Sequence, residues 1–131
     1  MNLRKPDLAG DKTKTATTWQ PFSQERVDQA LKAGRPVFIQ FTADWSLEGK
    51  TNETRVLNTP AVSSAFTSRN VVTLKADWTK GDKTVTEWLR KLGKPGVPLY
   101  ILYMPGKADP HVFPGVLTAD DIVRELSPTE K

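Results

Sequence analysis

The stretch Val37-Phe38-Ile39-Gln40-Phe41-Thr42-Ala43-Asp44-Trp45-Ser46-Leu47-Glu48-Gly49-Lys50 decides the fold. Its first six residues are β-branched, aromatic or apolar with one polar interruption, the pattern of a short strand buried on both faces. After the turn Ala43-Asp44-Trp45, Ser46 can cap the N-terminus of a helix that runs to about Leu57. A strand apolar on both faces needs cover on both, so the expected class is α/β, a central mixed sheet with helices on each side.

The flanking sequence extends this pattern. Upstream, Ser23 offers a cap and Val27, Ala30 and Leu31 recur at helical spacing until Gly34 stops the run. Downstream, Thr59 and Pro60 open a short helix that carries Val62 and Phe66 inward, and Val71–Asp77 reads as a second buried strand. Asp82 to Leu92 forms a helix with Val85, Trp88, Leu89 and Leu92 on one stripe, ended by Gly93. Leu99–Met104 is a third strand, and Pro105–Pro110 turns the chain into His111–Phe113 as its antiparallel partner. Thr118, with Asp121 three residues on, caps a last helix holding Ile122, Val123 and Leu126. The expected order is α-β-α-α-β-α-β-β-α. Ala43-Asp44-Trp45 and Ala76-Asp77-Trp78 are identical tripeptides ending two strands, but nothing around them repeats, so the match reads as coincidence.

At 131 residues the chain suits one domain, read as residues 18–131 behind a flexible lead-in or linker remnant over 1–17 that has no apolar period. Its 37% hydrophobic and 26% charged residues exclude collagen, coiled coil and wholesale disorder. No apolar run approaches the roughly 20 residues of a membrane span, and the first ten residues lack the apolar region of a signal peptide, so direct membrane insertion is not expected. The formal charge of +4 is scattered rather than striped, which argues against nucleic acid as a partner. With no cysteine and one histidine, His111, the chain offers no disulfide, no thiol nucleophile and no ordinary metal site, and no cofactor is expected. Ser46 and His111 could be imagined as a hydrolytic pair, yet no Gly-x-Ser-x-Gly elbow surrounds the serine and His111 falls on the edge hairpin.

Five segments carry a family resemblance: Gly34-Arg35-Pro36-Val37-Phe38, Phe41-Thr42-Ala43-Asp44-Trp45, Lys50-Thr51-Asn52-Glu53, Val72-Thr73-Leu74-Lys75-Ala76-Asp77-Trp78-Thr79 and Gly96-Val97-Pro98-Leu99-Tyr100. Together they resemble the thioredoxin superfamily, and within it the C-terminal thioredoxin-like domain of the bacterial thiol:disulfide interchange protein DsbD. The resemblance covers about residues 18–126 and implies a thioredoxin fold. In that family the helix begins Cys-x-x-Cys: its free N–H groups stabilise an attacking thiolate, and the second cysteine resolves the mixed disulfide. The matching positions here are Ser46 and Gly49, so no catalytic residue of the reductase type is present. A serine hydroxyl stays protonated at a helix start and cannot attack sulfur. Glu48 opposes thiolate formation, and Gln40 cannot titrate where many thioredoxins carry a buried acid.

The resemblance further implies a cis peptide at Val97-Pro98 and a groove of Trp45, Ser46, Leu47, Val97 and Pro98, adjoined by Gly115, that holds extended polypeptide or a partner domain by strand-like hydrogen bonds. The expected function is therefore a redox-inactive, monomeric docking domain. The alternative is a protein-disulfide reductase domain of a DsbD-like protein whose two cysteines have been replaced. By the same resemblance the location is periplasmic, within a parent that is membrane-anchored. Trp78 and Trp88 are expected to pack in the core.

Overall fold

The computed structural model describes residues 17–94, 96–114 and 116–126. Five strands form one sheet in the order β1-β3-β2-β4-β5: β1 (Gln20–Pro21), β2 (Val37–Thr42), β3 (Val72–Asp77), β4 (Leu99–Tyr103) and β5 (His111–Val112). The β1·β3 and β3·β2 pairs are parallel, and the β2·β4 and β4·β5 pairs are antiparallel. The helices are α1 (Gln24–Lys32), α2 (Leu47–Asn52), α3 (Pro60–Ser68), α4 (Lys83–Lys91) and α5 (Ala119–Leu126), and α2 runs on into a π-helical turn over Glu53–Leu57. None of the described helices is long and apolar enough to cross a membrane.

All six residues of β2 are buried, and their alternation splits the core into two layers. Val37, Ile39 and Phe41 meet Val27 and Ala30 of α1, Val85 and Leu89 of α4, and Leu74, Ala76, Leu99 and Ile101 of the neighbouring strands. Phe38 faces the other way, with Tyr100 and Leu102, against Leu57, Val62, Phe66, Ile122 and Leu126. Aromatic edges fill that second layer, where Phe38 lies 5.1 Å from Phe66 and 5.6 Å from Phe113 between ring centres.

Ser23 and Thr118 cap their helices as the sequence marks, and Asp82, expected as the first residue of its helix, is its cap instead. Ser23 Oγ accepts from the Arg26 N–H at 3.1 Å, Asp82 from Val85 at 3.1 Å and Thr118 from Asp121 at 3.1 Å. Gly34, at φ +79°, reverses the chain after α1, where a side chain would be strained. At Thr59 the structure differs: its hydroxyl donates back to the Val56 carbonyl at 2.7 Å instead of capping α3.

Two elements depart from the sequence reading. The order gains β1, which precedes α1 and adds a parallel edge through bonds such as Phe22 N–H to the Lys75 carbonyl at 3.0 Å. The helix expected to run from Ser46 to Leu57 widens into the π turn from Glu53, and residues at that junction serve a polar row on the sheet. Register sets Lys75, Gln40 and Tyr100 side by side across β3, β2 and β4. Glu53 Oε2 accepts from Gln40 Nε2 and from Lys75 Nζ, both at 3.3 Å, and Asn52 Nδ2 donates to the Tyr100 hydroxyl at 3.1 Å. The lead-in read over residues 1–17 lies outside the described residues except for Thr17, whose hydroxyl donates to Ser63 Oγ at 3.1 Å.

Candidate functional site

The site begins where β2 and β3 end and β4 starts. Register pairs Thr42 with Asp77 and Phe41 with Leu99, so the exits of β2 and β3 and the Val97-Pro98 approach to β4 lie at one end of the sheet. The Val97-Pro98 peptide there is cis.

Backbone and side-chain bonds hold the β2 exit to the β3 exit. The Trp78 N–H donates to the Thr42 carbonyl at 2.7 Å, the Asp44 N–H to Thr79 Oγ1 at 2.8 Å, and the Trp45 indole N–H to the Thr79 carbonyl at 3.3 Å. Thr79 is itself fixed by Asp77, whose carboxylate accepts from the Thr79 N–H at 2.9 Å and from its hydroxyl. Those two bonds, the hydroxyl's first, favour the charged carboxylate and lower the Asp77 pKa against the opposing effect of burial.

The chain then enters α2. Ser46 N–H donates to the Ala43 carbonyl at 3.0 Å, and Ser46 Oγ accepts from the Gly49 N–H at 3.0 Å. Ser46 is only 6% exposed, and its oxygen is engaged as a helix cap. Gly49 is buried beneath it: a Cβ there would stand 2.5 Å from Thr42 Oγ1 and 3.1 Å from Ser46 Oγ. The space that a second-position side chain would need is occupied by the Thr42 hydroxyl.

Around this sealed start the surface is apolar. Trp45 is 59% exposed and Leu47 81% exposed. The Trp45 and Trp78 rings lie 6.1 Å apart at 54°, and a Cβ on Gly96 would touch the Trp78 ring at 3.7 Å. Val97 is half-buried and packs against the core layer that also receives Trp78. Trp45, Leu47, Val97 and Pro98 are thus at the same sheet end with side chains wholly or partly in solvent, while Ser46 is turned inward. Gly115, adjoined to this set from the sequence, lies outside the described residues.

Gln40 is fully buried on the face covered by α2, and its Oε1 has no hydrogen-bond partner among the described residues. Its neighbour Tyr100 is pushed up to about 12, first by burial and against the bond from Asn52. Among the described residues no cluster of three or more metal-ligating side chains occurs.

His111 belongs to the far end. It pairs with Leu102, which in turn pairs with Phe38, four residues back along β2 from Thr42. Its Nδ1 stands 3.6 Å from Glu125 and its ring 4.7 Å from Phe113. At about 3.3 Å per strand residue, roughly 13 Å of sheet separates its level from Thr42, so it forms no pair with Ser46.

Trp78 is the wall residue that sequence reasoning assigned to packing alone. It is half-buried, and its indole N–H donates to Thr86 Oγ1 at 2.8 Å. The Ala-Asp-Trp tripeptide recurs at the ends of two adjacent parallel strands with its copies offset by two residues, since Phe41 stands opposite Ala76 and Thr42 opposite Asp77, yet both tryptophans reach the same end of the sheet. Trp88 packs as expected, its ring 5.0 Å from Phe22 and 6.2 Å from Tyr103.

Comparison with known proteins agrees with this architecture. A search of curated proteins finds no match. Among solved structures, the oxidised C-terminal domain of DsbD from Neisseria meningitidis superposes with a TM-score of 0.66 at 25% identity, over 78% of this chain and 88% of that one. The reduced form of that domain gives 0.62 at 20% identity, over 79% and 94%. A thioredoxin from Thermus thermophilus gives 0.65 at 22% identity, over 82% of each chain. A family model described as thioredoxin-like matches residues 18–105, and with the sheet order and the helix-capped strand exit above, the chain belongs to the thioredoxin-like family.

Proposed function

We propose that this chain is a thioredoxin-fold docking domain without thiol chemistry, which holds an extended polypeptide or a neighbouring domain across Trp45, Leu47, Val97 and Pro98. The observation that carries the reading is the pairing of two large exposed apolar side chains, Trp45 and Leu47, with a helix start that is sulfur-free and closed. Exposed aromatic and aliphatic groups beside an open backbone segment are what strand-like peptide capture uses. Ser46 caps α2 and Thr42 fills the place of a side chain at Gly49, so the pocket is shaped for the residues it now has. That fit counts against a reductase merely stripped of its cysteines. The likeness to DsbD C-terminal domains supports the periplasm as the compartment.

The test is a titration of the labelled protein with an extended apolar peptide while backbone amide signals are followed. The docking reading requires shifts at Trp45 and Val97; silence of both at millimolar peptide refutes it. Insulin reduction by Ser46→Cys with Gly49→Cys addresses the chemistry: the double variant should stay inactive while Thr42 is retained.

A further inference from the structure

We infer that the docking surface continues past Trp78 into a basic subsite that selects polypeptide with acidic residues beside its apolar segment; the inference rests on the docking reading above. A cavity of about 390 Å³ opens beside Trp78 and is lined by Trp78, Thr86, Leu89, Arg90, Gly93 and Lys94. Trp78 is the shared wall, since its ring also stands 6.1 Å from that of Trp45 and faces Gly96, where the missing side chain leaves the indole uncovered. The cavity floor is Leu89, which is buried, so an apolar side chain of a bound segment finds matching surface there.

The rim is cationic. From Lys83 to Lys94 the chain carries Lys83, Arg90, Lys91 and Lys94 against Glu87 alone. Neither Arg90 nor Lys94 has an ion-pair partner among the described residues. Two unpaired cations at the mouth of an apolar pocket favour a ligand that is apolar within and anionic at its edge, and such rim charges act mainly on selectivity and encounter rate. A polypeptide lying across Trp45 and Val97 that reaches over Trp78 brings its flanking residue to this rim.

The probes are two fluorescein-labelled peptides, Glu-Asp-Val-Leu-Val-Phe-Asp-Glu and its neutral counterpart Gln-Asn-Val-Leu-Val-Phe-Asn-Gln, acidic or amide at both ends so that binding direction does not matter. Anisotropy should show the acidic peptide binding about three- to tenfold more tightly at low salt, the range expected from two exposed charge pairs. Raising ionic strength from about 0.01 M to 0.15 M shortens the screening length from roughly 30 Å to 8 Å and should shrink that ratio. In Arg90→Gln with Lys94→Gln, checked for an unchanged unfolding midpoint, the ratio should fall to about one, whereas the charge-matched Lys32→Gln with Lys107→Gln should keep it. Equal binding of the two peptides, or a ratio that survives Arg90→Gln with Lys94→Gln or is lost equally in the control, overturns the acidic subsite and leaves the docking reading standing. Failure of both peptides to bind or to shift Trp45 overturns the docking reading itself.

Discussion

Replacing Gly49 with alanine tests whether the helix start is closed. Alanine in a helix is favoured over glycine by up to about 1 kcal/mol, so at an open site the change would stabilise the protein. Here the new Cβ would sit 2.5 Å from Thr42 Oγ1, about 1 Å inside ordinary contact at roughly 3.5 Å. Thr42 is 5% exposed on a fully buried strand, and its branched side chain has little rotamer freedom to escape. Overpacking of this kind costs about 1–3 kcal/mol, which exceeds the propensity gain. Gly49→Ala should therefore lower stability by about 1 kcal/mol, or roughly 4 °C in midpoint for a domain of this size. Thr42→Ala alone loses a buried methyl together with the hydroxyl and should cost about 1 kcal/mol. The double variant removes the clash, so urea unfolding of the four proteins should give a coupling of about 1–2 kcal/mol in favour of the pair. A stabilised Gly49→Ala, with effects that add in the double variant, refutes the reasoning. A cysteine at position 49 meets the same hydroxyl.

Ser46→Ala removes the acceptor of the buried Gly49 N–H and should cost about 1–2 kcal/mol by denaturant unfolding, with the fold retained. Glu53→Ala leaves fully buried Gln40 and the Lys75 ammonium without their shared acceptor; a loss of about 2 kcal/mol is expected, and a smaller one for Glu53→Gln, which keeps an oxygen there. Tyr100 governs alkaline stability. Its folded pKa of about 12 exceeds the unfolded value of 10.0, so the folded state holds its proton longer and stability falls as pH rises from 10 to 12. The loss should be at most about 2–3 kcal/mol and should vanish from the pH profile of Tyr100→Phe. Asp77 works at the other end: its lowered pKa contributes stability above its ordinary value that disappears on acidification, and Asp77→Asn should flatten that part of an acid titration.

The readable parts of the fold were those where one local signal sufficed. β2 is legible because Val37 to Thr42 form an apolar run that is buried on both faces, α1 and α5 because Ser23 and Thr118 cap apolar stripes, and α4 because Val85, Trp88, Leu89 and Leu92 share one stripe that Gly93 ends. β1 left no such mark: Gln20 and Pro21 are both exposed, and the pairing with β3 is made by backbone groups, the Phe22 N–H among them, rather than by a side-chain pattern. The π turn was equally silent, and the row Lys75, Gln40 and Tyr100 that Asn52 and Glu53 serve beside it is assembled from three strands distant in the chain. At the site, Ser46 as a cap followed from its position, whereas the Thr42–Gly49 contact depends on how α2 tilts over β2, which residue types alone do not specify. Trp78 has no mark in the sequence of its place at the site, because the two copies of the tripeptide are offset by two residues in the sheet and only the tertiary approach of the Trp45 and Trp78 rings brings it there.

Those twin tryptophans have an optical consequence. Two indoles 6.1 Å apart at 54° share their electronic excitation, and the resulting exciton couplet has a sign and size set by their mutual angle. Trp45 rides on the exit of one strand and Trp78 on the exit of its neighbour, so the couplet gauges whether the two exits keep their alignment. Any ligand that wedges between them, or any substitution that lets one drift, will write itself into the spectrum without a label being attached.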